Sequence, residues 1–268
     1  MPVISKLKWR LLGLSMRTVG QASDGIRLGY ARGFDSGEML DYVYANEAHG
    51  RLGYGRLVDR VYLDSIGWRA VRTRKTLLQE VLRQQIAVDR DHRVPTVVLD
   101  VAAGPGRYLQ ELCAEVGTTH DLTVICRDLD EAGLARGRAQ AATRALANIR
   151  YERGDACDPA SLGTVRPRPN LVVASGLYEL LDAAAIQRSL AGVHSLLPAG
   201  GRVVFTTQLR HPQLELIANV LPNRLGQPWR MECRSLEEVE GYARAAGFGR
   251  LASAVEPLGL FGVTLGLK

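Results

Sequence analysis

From residue 95 onward, short strand-like runs alternate with amphipathic segments, and this alternation restricts the fold more than any other feature of the chain. The strand-like runs are residues 95–102, 121–128, 148–155, 170–176 and 202–208. A helix-like segment follows the first, second, fourth and fifth of these runs, and the third of these segments, residues 183–196, ends before Pro198 and the pair Gly200-Gly201. Strands that alternate with helices predict an α/β domain with a mostly parallel sheet.

The last two strand-like runs, residues 250–257 and 260–268, are joined too closely for a parallel connection. Only Leu258 and Gly259 separate them, whereas a parallel crossover requires a dozen or more residues. The two runs must therefore be antiparallel neighbours. The sequence predicts a Rossmann-like sheet of seven strands, mostly parallel, with the last strand antiparallel.

The first 94 residues have a different pattern. Four helix-like segments cover about residues 4–16, 38–46, 55–66 and 70–88. The polar segment 87–95 ends at Pro95 and predicts a boundary there. We therefore expect an N-terminal helical cap or lid over residues 1–94 and a Rossmann-like catalytic domain over residues 95–268.

The whole formal net charge of +6 lies in the first 94 residues. A basic surface attracts nucleic acid, anionic lipid or an acidic substrate, but it can equally be a solvated helix face. Beyond the tyrosine-containing segment near residues 40–56, no basic segment is interleaved with aromatic residues in the way that RNA-binding modules require. We therefore do not expect nucleic acid as a partner.

The cysteines and the apolar segments indicate the cellular compartment in which the protein is expected. The four cysteines are scattered, with neither zinc-ligand spacing nor the density of a disulfide framework. They predict free thiols in a reducing cytosol and no metal. No run of about 18 apolar residues occurs, and the N-terminus lacks a continuous apolar core for a signal peptide. We expect a cytoplasmic protein, with peripheral contact to the inner membrane face left open.

A glycine-rich turn follows the first strand and is the first candidate binding site. Residues 100–107 read DVAAGPGR, so Gly104 and Gly106 permit a close backbone approach at the carboxyl edge of the sheet. The Gly-Lys-Ser/Thr ending of a phosphate loop is absent. Leu109 stands where a dinucleotide turn has its third glycine, so pyrophosphate is disfavoured. We expect the ligand to contact Ala102, Ala103, Gly104, Pro105 and Gly106.

An acidic residue ends each of the first three strands. Asp100, Asp128 and Asp155 should converge on one crevice, because the carboxyl ends of parallel strands meet at one edge. A strand-terminal Asp can also simply cap the next helix. Three acids favour a cationic ligand without phosphate, such as S-adenosylmethionine. Asp128 would accept hydrogen bonds from the ribose and Asp155 from the adenine amino group, with Leu129 and Ala156 beside them.

These motifs resemble those of class I S-adenosylmethionine-dependent methyltransferases. The resemblance covers residues 95–268 and rests on VLDVAAGPGR, CRDLDEAGLARGRAQ, GDACD and LLPAGGRVVFTT, in that order. It implies S-adenosylmethionine as cofactor and S-adenosylhomocysteine as product. Ala102 departs from the family's first turn glycine. The whole chain also resembles a bacterial methyltransferase family, sometimes fused to α/β-hydrolase domains, which implies no particular substrate.

The reacting side of the crevice should follow the fourth strand. The sequence there is SGLYELLD, without the Asp/Asn-Pro-Pro-Tyr/Phe of nucleic-acid amino methyltransferases. We expect Ser175 and Gly176 to contact the cofactor, and Tyr178 and Glu179 to shape or polarise the acceptor. His211, after the fifth strand, is a candidate general base. The alternatives are a packed ring for Tyr178, a solvent-facing side chain for Glu179 and a capping role for His211.

The N-terminal region supplies candidate acceptor contacts. Tyrosine rings suit a pocket wall, and arginines suit the methionine carboxylate or an acidic substrate; the candidates are Tyr42, Tyr44, Tyr54, Arg72 and Arg74. Within residues 1–20, an apolar stripe lies beside basic residues and predicts a lid, a docking element or a contact with anionic lipid. The stripe comprises Ile4, Leu7, Leu11 and Leu14.

Several functions remain open from the sequence. The leading hypothesis is methyl transfer to a small-molecule acceptor, followed by a lipid acceptor and then RNA. A non-catalytic peripheral membrane or interaction protein and a nicotinamide-dependent dehydrogenase are the alternatives from other classes. The sequence also leaves a homo-oligomer open.

Overall fold

The structure is a computed structural model that describes residues 3–117 and 121–268. The chain divides into two compact units, the first formed by Met1–Arg72 and His211–Met231, the second by Thr73–Arg210 and Glu232–Lys268. In chain order the elements are α1 Val3–Arg17, α2 Asp24–Arg32, α3 Gly37–Ala45, α4 Gly55–Leu63, α5 Ile66–Asp91, β1 Thr96–Asp100, α6 Arg107–Val116, β2 Leu122–Asp128, α7 Glu131–Thr143, β3 Ile149–Arg153, α8 Pro159–Gly163, β4 Leu171–Ala174, α9 Ala183–Leu196, β5 Arg202–Gln208, α10 Leu214–Val220, α11 Leu236–Ala245, β6 Arg250–Val255 and β7 Phe261–Leu267.

A buried carboxylate ties the helices of the first unit together. Asp59 on α4 is fully buried, and its two oxygens accept four hydrogen bonds. The donors are the Ser23 hydroxyl, the Gly25 N–H, the Tyr42 hydroxyl and the His49 N–H. Because a carboxylate offers about four acceptor sites, this buried charge is fully satisfied and holds α2, α3 and α4 in place.

Residues 211–231 belong to the first unit although they follow β5 in the chain. The Phe34 N–H donates to the Pro222 carbonyl at 3.0 Å, and the Arg224 N–H donates to Asp35 Oδ1 at 2.6 Å. Trp229 stacks on Trp68 with ring centroids 6.1 Å apart. These contacts join two segments that lie far apart in the sequence.

The second unit is built on a seven-stranded sheet in the order β3-β2-β1-β4-β5-β7-β6. All pairs among the first five strands of this order are parallel, whereas β7 is antiparallel to β5 and to β6. Apolar side chains of β1, β4 and β5 pack with the stripe of α9 that contains Ile186, Leu190 and Val193. Burial of this stripe holds the helix on the sheet.

The predicted sheet is confirmed, including its antiparallel last strand. Other elements differ from prediction. The helix α2 was missed because its nine residues, DGIRLGYAR, show only a short apolar stripe. The helix predicted over 70–88 begins at Ile66 and ends at Asp91. The predicted boundary near Pro95 coincides with the start of β1, whereas the two compact units divide within α5.

No helix in the described part of the chain has both the length and the apolar composition needed to cross a membrane.

Candidate functional site

The glycine-rich turn lies at the carboxyl end of β1, where the strand order of the sheet reverses. β1 occupies a central position, with β2 on one side and β4 on the other, so chain connections diverge from its carboxyl end. Open α/β sheets bind ligands at such switch points. Two glycines of the turn have left-handed backbone angles, φ 51° at Gly104 and 69° at Gly106. A Cβ added at Gly106 would lie 3.0 Å from Cys126 Sγ, so the turn also packs closely on β2.

Every backbone N–H within the turn, residues 102–106, already has a partner inside the protein. The Ala102 N–H donates to Asp100 Oδ1 and the Gly104 N–H to Asp128 Oδ2. Those of Ala103 and Gly106 donate to backbone carbonyls, and Pro105 has none. A phosphate-binding turn needs N–H groups directed at the ligand. This turn therefore presents no such anion cradle.

Asp128 joins the end of β2 to the turn and retains capacity for a ligand. Its Oδ2 accepts from the Gly104 N–H at 2.8 Å and its Oδ1 from the Asp130 N–H at 2.9 Å. Each carboxylate oxygen has about two acceptor sites, so each can accept one further hydrogen bond. Leu129, the next residue, is 56% exposed and offers an apolar contact beside the carboxylate.

Asp155, beyond the end of β3, is similarly placed. Its Oδ1 accepts from the Cys157 N–H at 2.8 Å, and its own N–H donates to Ser161 Oγ. The carboxylate is partly exposed. The neighbouring Ala156 is buried in the hydrophobic core of the sheet.

Asp100 does not fit the prediction of a carboxylate that faces the ligand. It is fully buried, and its oxygens accept from the Ala102 N–H at 3.0 Å and from the Tyr108 hydroxyl at 2.5 Å. Burial raises the pKa of Asp100 to about 7, against the opposing effect of these hydrogen bonds. Asp100 thus supports the turn through these hydrogen bonds, and a role for Asp128 and Asp155 at a ligand stays a prediction.

Sequence reasoning missed a polar cluster that supports the turn. Gln110 on α6 is fully buried, and its amide donates to the Pro105 carbonyl and to the Tyr151 hydroxyl, at 2.9 and 2.8 Å. Tyr151 also donates to the Pro105 carbonyl at 3.2 Å. A Cβ added at Gly137 on α7 would lie 2.7 Å from the same carbonyl. The spacing of Gly133 and Gly137 on one helical face was the available signal for this close approach.

The structure brings two predicted residues, Arg74 and Glu179, into one buried ion pair. Arg74 Nη1 lies 3.0 Å from Glu179 Oε1, with both side chains buried. The guanidinium also lies over the Phe261 ring, 4.6 Å from its centroid. The other oxygen, Glu179 Oε2, is buried without a hydrogen-bond partner among residues 3–117 and 121–268. Arg74 therefore compensates Glu179, which leaves Oε2 able to accept a donor.

The loop after β4 is shaped around this ion pair. Gly176 has φ 70°, and its N–H donates to Thr206 Oγ1 at 2.9 Å. A Cβ at Gly176 would lie 3.3 Å from Arg74 Nη2, and Ser175 is buried. Tyr178 is a core residue, in contact with the Phe205 ring and with its hydroxyl 3.4 Å from Ser189 Oγ. Its placement favours the packing alternative over a role at the acceptor.

His211 belongs to the first unit, and its surroundings do not favour a general base. The Gln213 N–H donates to its Nδ1 at 3.1 Å, so the neutral ring carries its proton on Nε2. A Cβ at Gly67 would lie 2.5 Å from that Nε2. Burial lowers the pKa of His211 to about 4. A neutral ring with a protonated Nε2 is a hydrogen-bond donor, which supports the structural alternative.

The remaining predicted acceptor residues also lie in the first unit. The Tyr42 hydroxyl donates to Asp59, and burial, followed by this carboxylate, raises the pKa of Tyr42. Arg72 donates to the Leu63 carbonyl at 2.9 Å. Tyr44 is partly buried and Tyr54 is exposed. Their role at an acceptor, and closure of its pocket by residues 1–94, stay predictions.

Comparisons with known proteins identify the family. The family model described as "Putative methyltransferase" matches residues 2–268. Uncharacterized protein YnbC of Escherichia coli K12 is 39% identical over 265 residues, which are 98% of this chain and 45% of that protein. The chain thus spans somewhat less than half the length of this curated relative.

Two solved structures illustrate the similarity in fold. One is described as a possible exported protein from Bordetella parapertussis, with a TM-score of 0.73 and 21% identity over 98% of this chain and 87% of that one. The other is magnesium protoporphyrin IX methyltransferase from Synechocystis PCC 6803 with bound S-adenosylhomocysteine. It has a TM-score of 0.59 and 11% identity, over 89% of this chain and 98% of that one. At these identities the likeness concerns the fold alone.

Proposed function

Since the chain belongs to the family described as "Putative methyltransferase", we propose that it transfers the methyl group of S-adenosylmethionine to a small-molecule acceptor. The glycine-rich turn carries the proposal. Its N–H groups are all used internally, so it suits a ligand that brings no phosphate to the turn. S-adenosylmethionine is such a ligand, whereas a nicotinamide dinucleotide requires contacts to its pyrophosphate.

The residues that hold the cofactor follow from the acceptor sites that remain. Asp128 would accept hydrogen bonds from the ribose hydroxyls, with one open site on each oxygen. Asp155 would accept from the adenine amino group, and the exposed side chain of Leu129 would contact the adenosine. The turn from Ala102 to Gly106, with Ser175 and Gly176, would border the methionine part.

The bound cofactor supplies a methyl group activated by a positively charged sulfur. Methyl transfer is an in-line displacement, so the chain's own work is alignment and the exclusion of water. Where the acceptor arrives protonated, a positioned base contributes. Glu179 is our candidate, because its buried Oε2 has no partner in the described part of the chain and Arg74 compensates its charge.

Calorimetry tests cofactor binding. We expect the full chain to bind S-adenosylhomocysteine and not to bind NAD. Asp128→Asn should weaken binding by about 10- to 100-fold, since hydrogen bonds to a charged group are lost. Asp158→Asn makes the same change at the exposed N-cap of α8 and should bind as the wild type does, because Asn caps as well as Asp. Absence of binding at millimolar S-adenosylhomocysteine, or a preference for NAD, would refute the proposal.

Transfer of a labelled methyl group tests the acceptor class. The enzyme is incubated with S-adenosylmethionine and either a low-molecular-weight cell filtrate or total RNA. We expect label in small molecules of the filtrate and none in RNA. We propose that the protein acts in the cytoplasm, because its four cysteines are free thiols, as a reducing compartment would leave them. The filtrate should therefore be prepared from cytoplasm.

A further inference from the structure

The first helix of the first unit presents an apolar stripe to solvent. Leu7, Leu11 and Leu14 of α1 are 56%, 59% and 60% exposed, and their spacing of four and three residues places them on one helical face. The opposite side of α1 packs on α10, where a Cβ at Gly13 would lie 3.9 Å from a Val220 methyl group. The helix is therefore seated on its unit with its leucine stripe outward.

A second exposed apolar stripe lies on α4 of the same unit. Leu57 and Val61, one helical turn apart, are both about two-thirds exposed. The single-turn helix Val19–Ala22 contacts both α1 and α4, and Val19 itself is exposed. Among the described side chains, nine of the 13 large apolar residues that are exposed belong to the first unit. Six of these nine lie on α1, on α4 or on the single-turn helix that contacts both, so they are grouped rather than scattered.

The charges beside the leucine stripe of α1 are of one sign. Residues 1–23 contain four basic residues and no Asp or Glu. Beside the stripe of α4, the exposed acid Asp64 is paired with Arg60. Lys8, Arg10 and Arg17 are exposed beside the leucine stripe. Leucines flanked by basic side chains, without acids, complement a surface in which an anionic outer layer covers an apolar interior. A protein partner with an apolar patch would not require this uniform charge.

We infer that α1 and α4 dock the first unit on an anionic lipid bilayer, with the leucine stripe at the boundary between headgroups and acyl chains. The basic side chains contact the lipid phosphates. This inference does not rest on the proposed methyl transfer, because docking needs no cofactor.

Vesicle sedimentation of the full chain tests the inference. The probes are vesicles of phosphatidylcholine alone and of an equal mixture of phosphatidylcholine and phosphatidylglycerol. We expect sedimentation with the mixed vesicles only. Raising the salt concentration from about 0.1 M to about 1 M shortens the Debye length from about 10 Å to about 3 Å and should release most of the protein.

Matched triple variants locate the contact. Leu7→Gln/Leu11→Gln/Leu14→Gln should lower the vesicle-binding constant at least about tenfold, because it removes the apolar area that enters the bilayer. The control changes three exposed valines of the second unit, Val88→Gln/Val94→Gln/Val255→Gln, and should bind as the wild type does. Both triples should unfold near the wild-type temperature, which excludes a folding defect.

Two results would overturn the inference: the wild type does not sediment with mixed vesicles, or the leucine triple sediments as well as the wild type does. Light scattering then identifies the alternative in the first case. If the wild type is dimeric and the leucine triple is monomeric, the stripe contacts a second copy of the chain.

Discussion

Replacing Gly137 by alanine tests how tightly α7 holds the glycine-rich turn. A Cβ at this position would lie 2.4 Å from the Tyr151 ring and 2.7 Å from the Pro105 carbonyl oxygen. Both distances are shorter than real side chains tolerate, and the second involves backbone. The helix or the turn must therefore shift, and the hydrogen bonds that the Pro105 carbonyl accepts from Gln110 and Tyr151 must lengthen.

The expected loss is the difference between two opposing effects. Overpacking of this kind costs about 1–3 kcal/mol, and two clashing contacts place this site near the upper value. Against this loss, alanine stabilises a helix interior by about 0.5–1 kcal/mol relative to glycine. The net change is a loss of about 2 kcal/mol in the free energy of unfolding. Gly241→Ala on α11 is the matched control: a Cβ there meets nothing within 4 Å, so it should gain about 0.5–1 kcal/mol.

Urea unfolding followed by circular dichroism measures both variants. Calorimetry with S-adenosylhomocysteine should also show weaker binding for Gly137→Ala, because the displaced turn is the proposed binding element, and unchanged binding for Gly241→Ala. If Gly137→Ala proves as stable as Gly241→Ala, the close approach of α7 to the turn is wrong.

Three further predictions concern buried ionisable groups. Arg74→Met or Glu179→Gln alone should each lower the free energy of unfolding by about 3–5 kcal/mol, since either leaves a buried partner uncompensated; denaturant unfolding of the double variant should show a smaller loss than the two singles added. The pKa of Asp100 is raised to about 7, so its stabilising contribution is complete below pH 4 and is lost as the pH rises to 7. The free energies of unfolding of the wild type and Asp100→Asn, measured against pH, should therefore diverge by up to about 4 kcal/mol across this window. The pKa of His211 is lowered to about 4, so its contribution to stability is complete above its unfolded pKa near 6.5 and is lost as the pH falls through 4. Acid unfolding of His211→Asn should therefore occur at lower pH than that of the wild type. An unshifted unfolding curve would contradict the burial of this ring.

Local signals were sufficient for the sheet and for part of the candidate site. The seven strands follow from apolar runs and from a two-residue connection that forbids a parallel crossover. The placement of Asp128 at the end of β2 and of Asp155 just beyond the adjacent parallel strand β3 also follows from the sequence. Both are matters of chain order, which is visible without coordinates. The role of Asp100 could not be read in this way, because the burial of its carboxylate depends on Tyr108 of α6 reaching back to it.

The sequence by itself determined the α/β fold and the glycine-rich turn, since both depend on local backbone preference and residue order. Only the tertiary structure decided which side chains meet across long separations. Arg74 and Glu179 are 105 residues apart, and nothing in either segment indicates that one neutralises the other. The structure likewise decided that the leucines of α1 face solvent, because a helical stripe reads the same whether a partner element covers it or not. Burial is a property of the neighbours a residue acquires on folding.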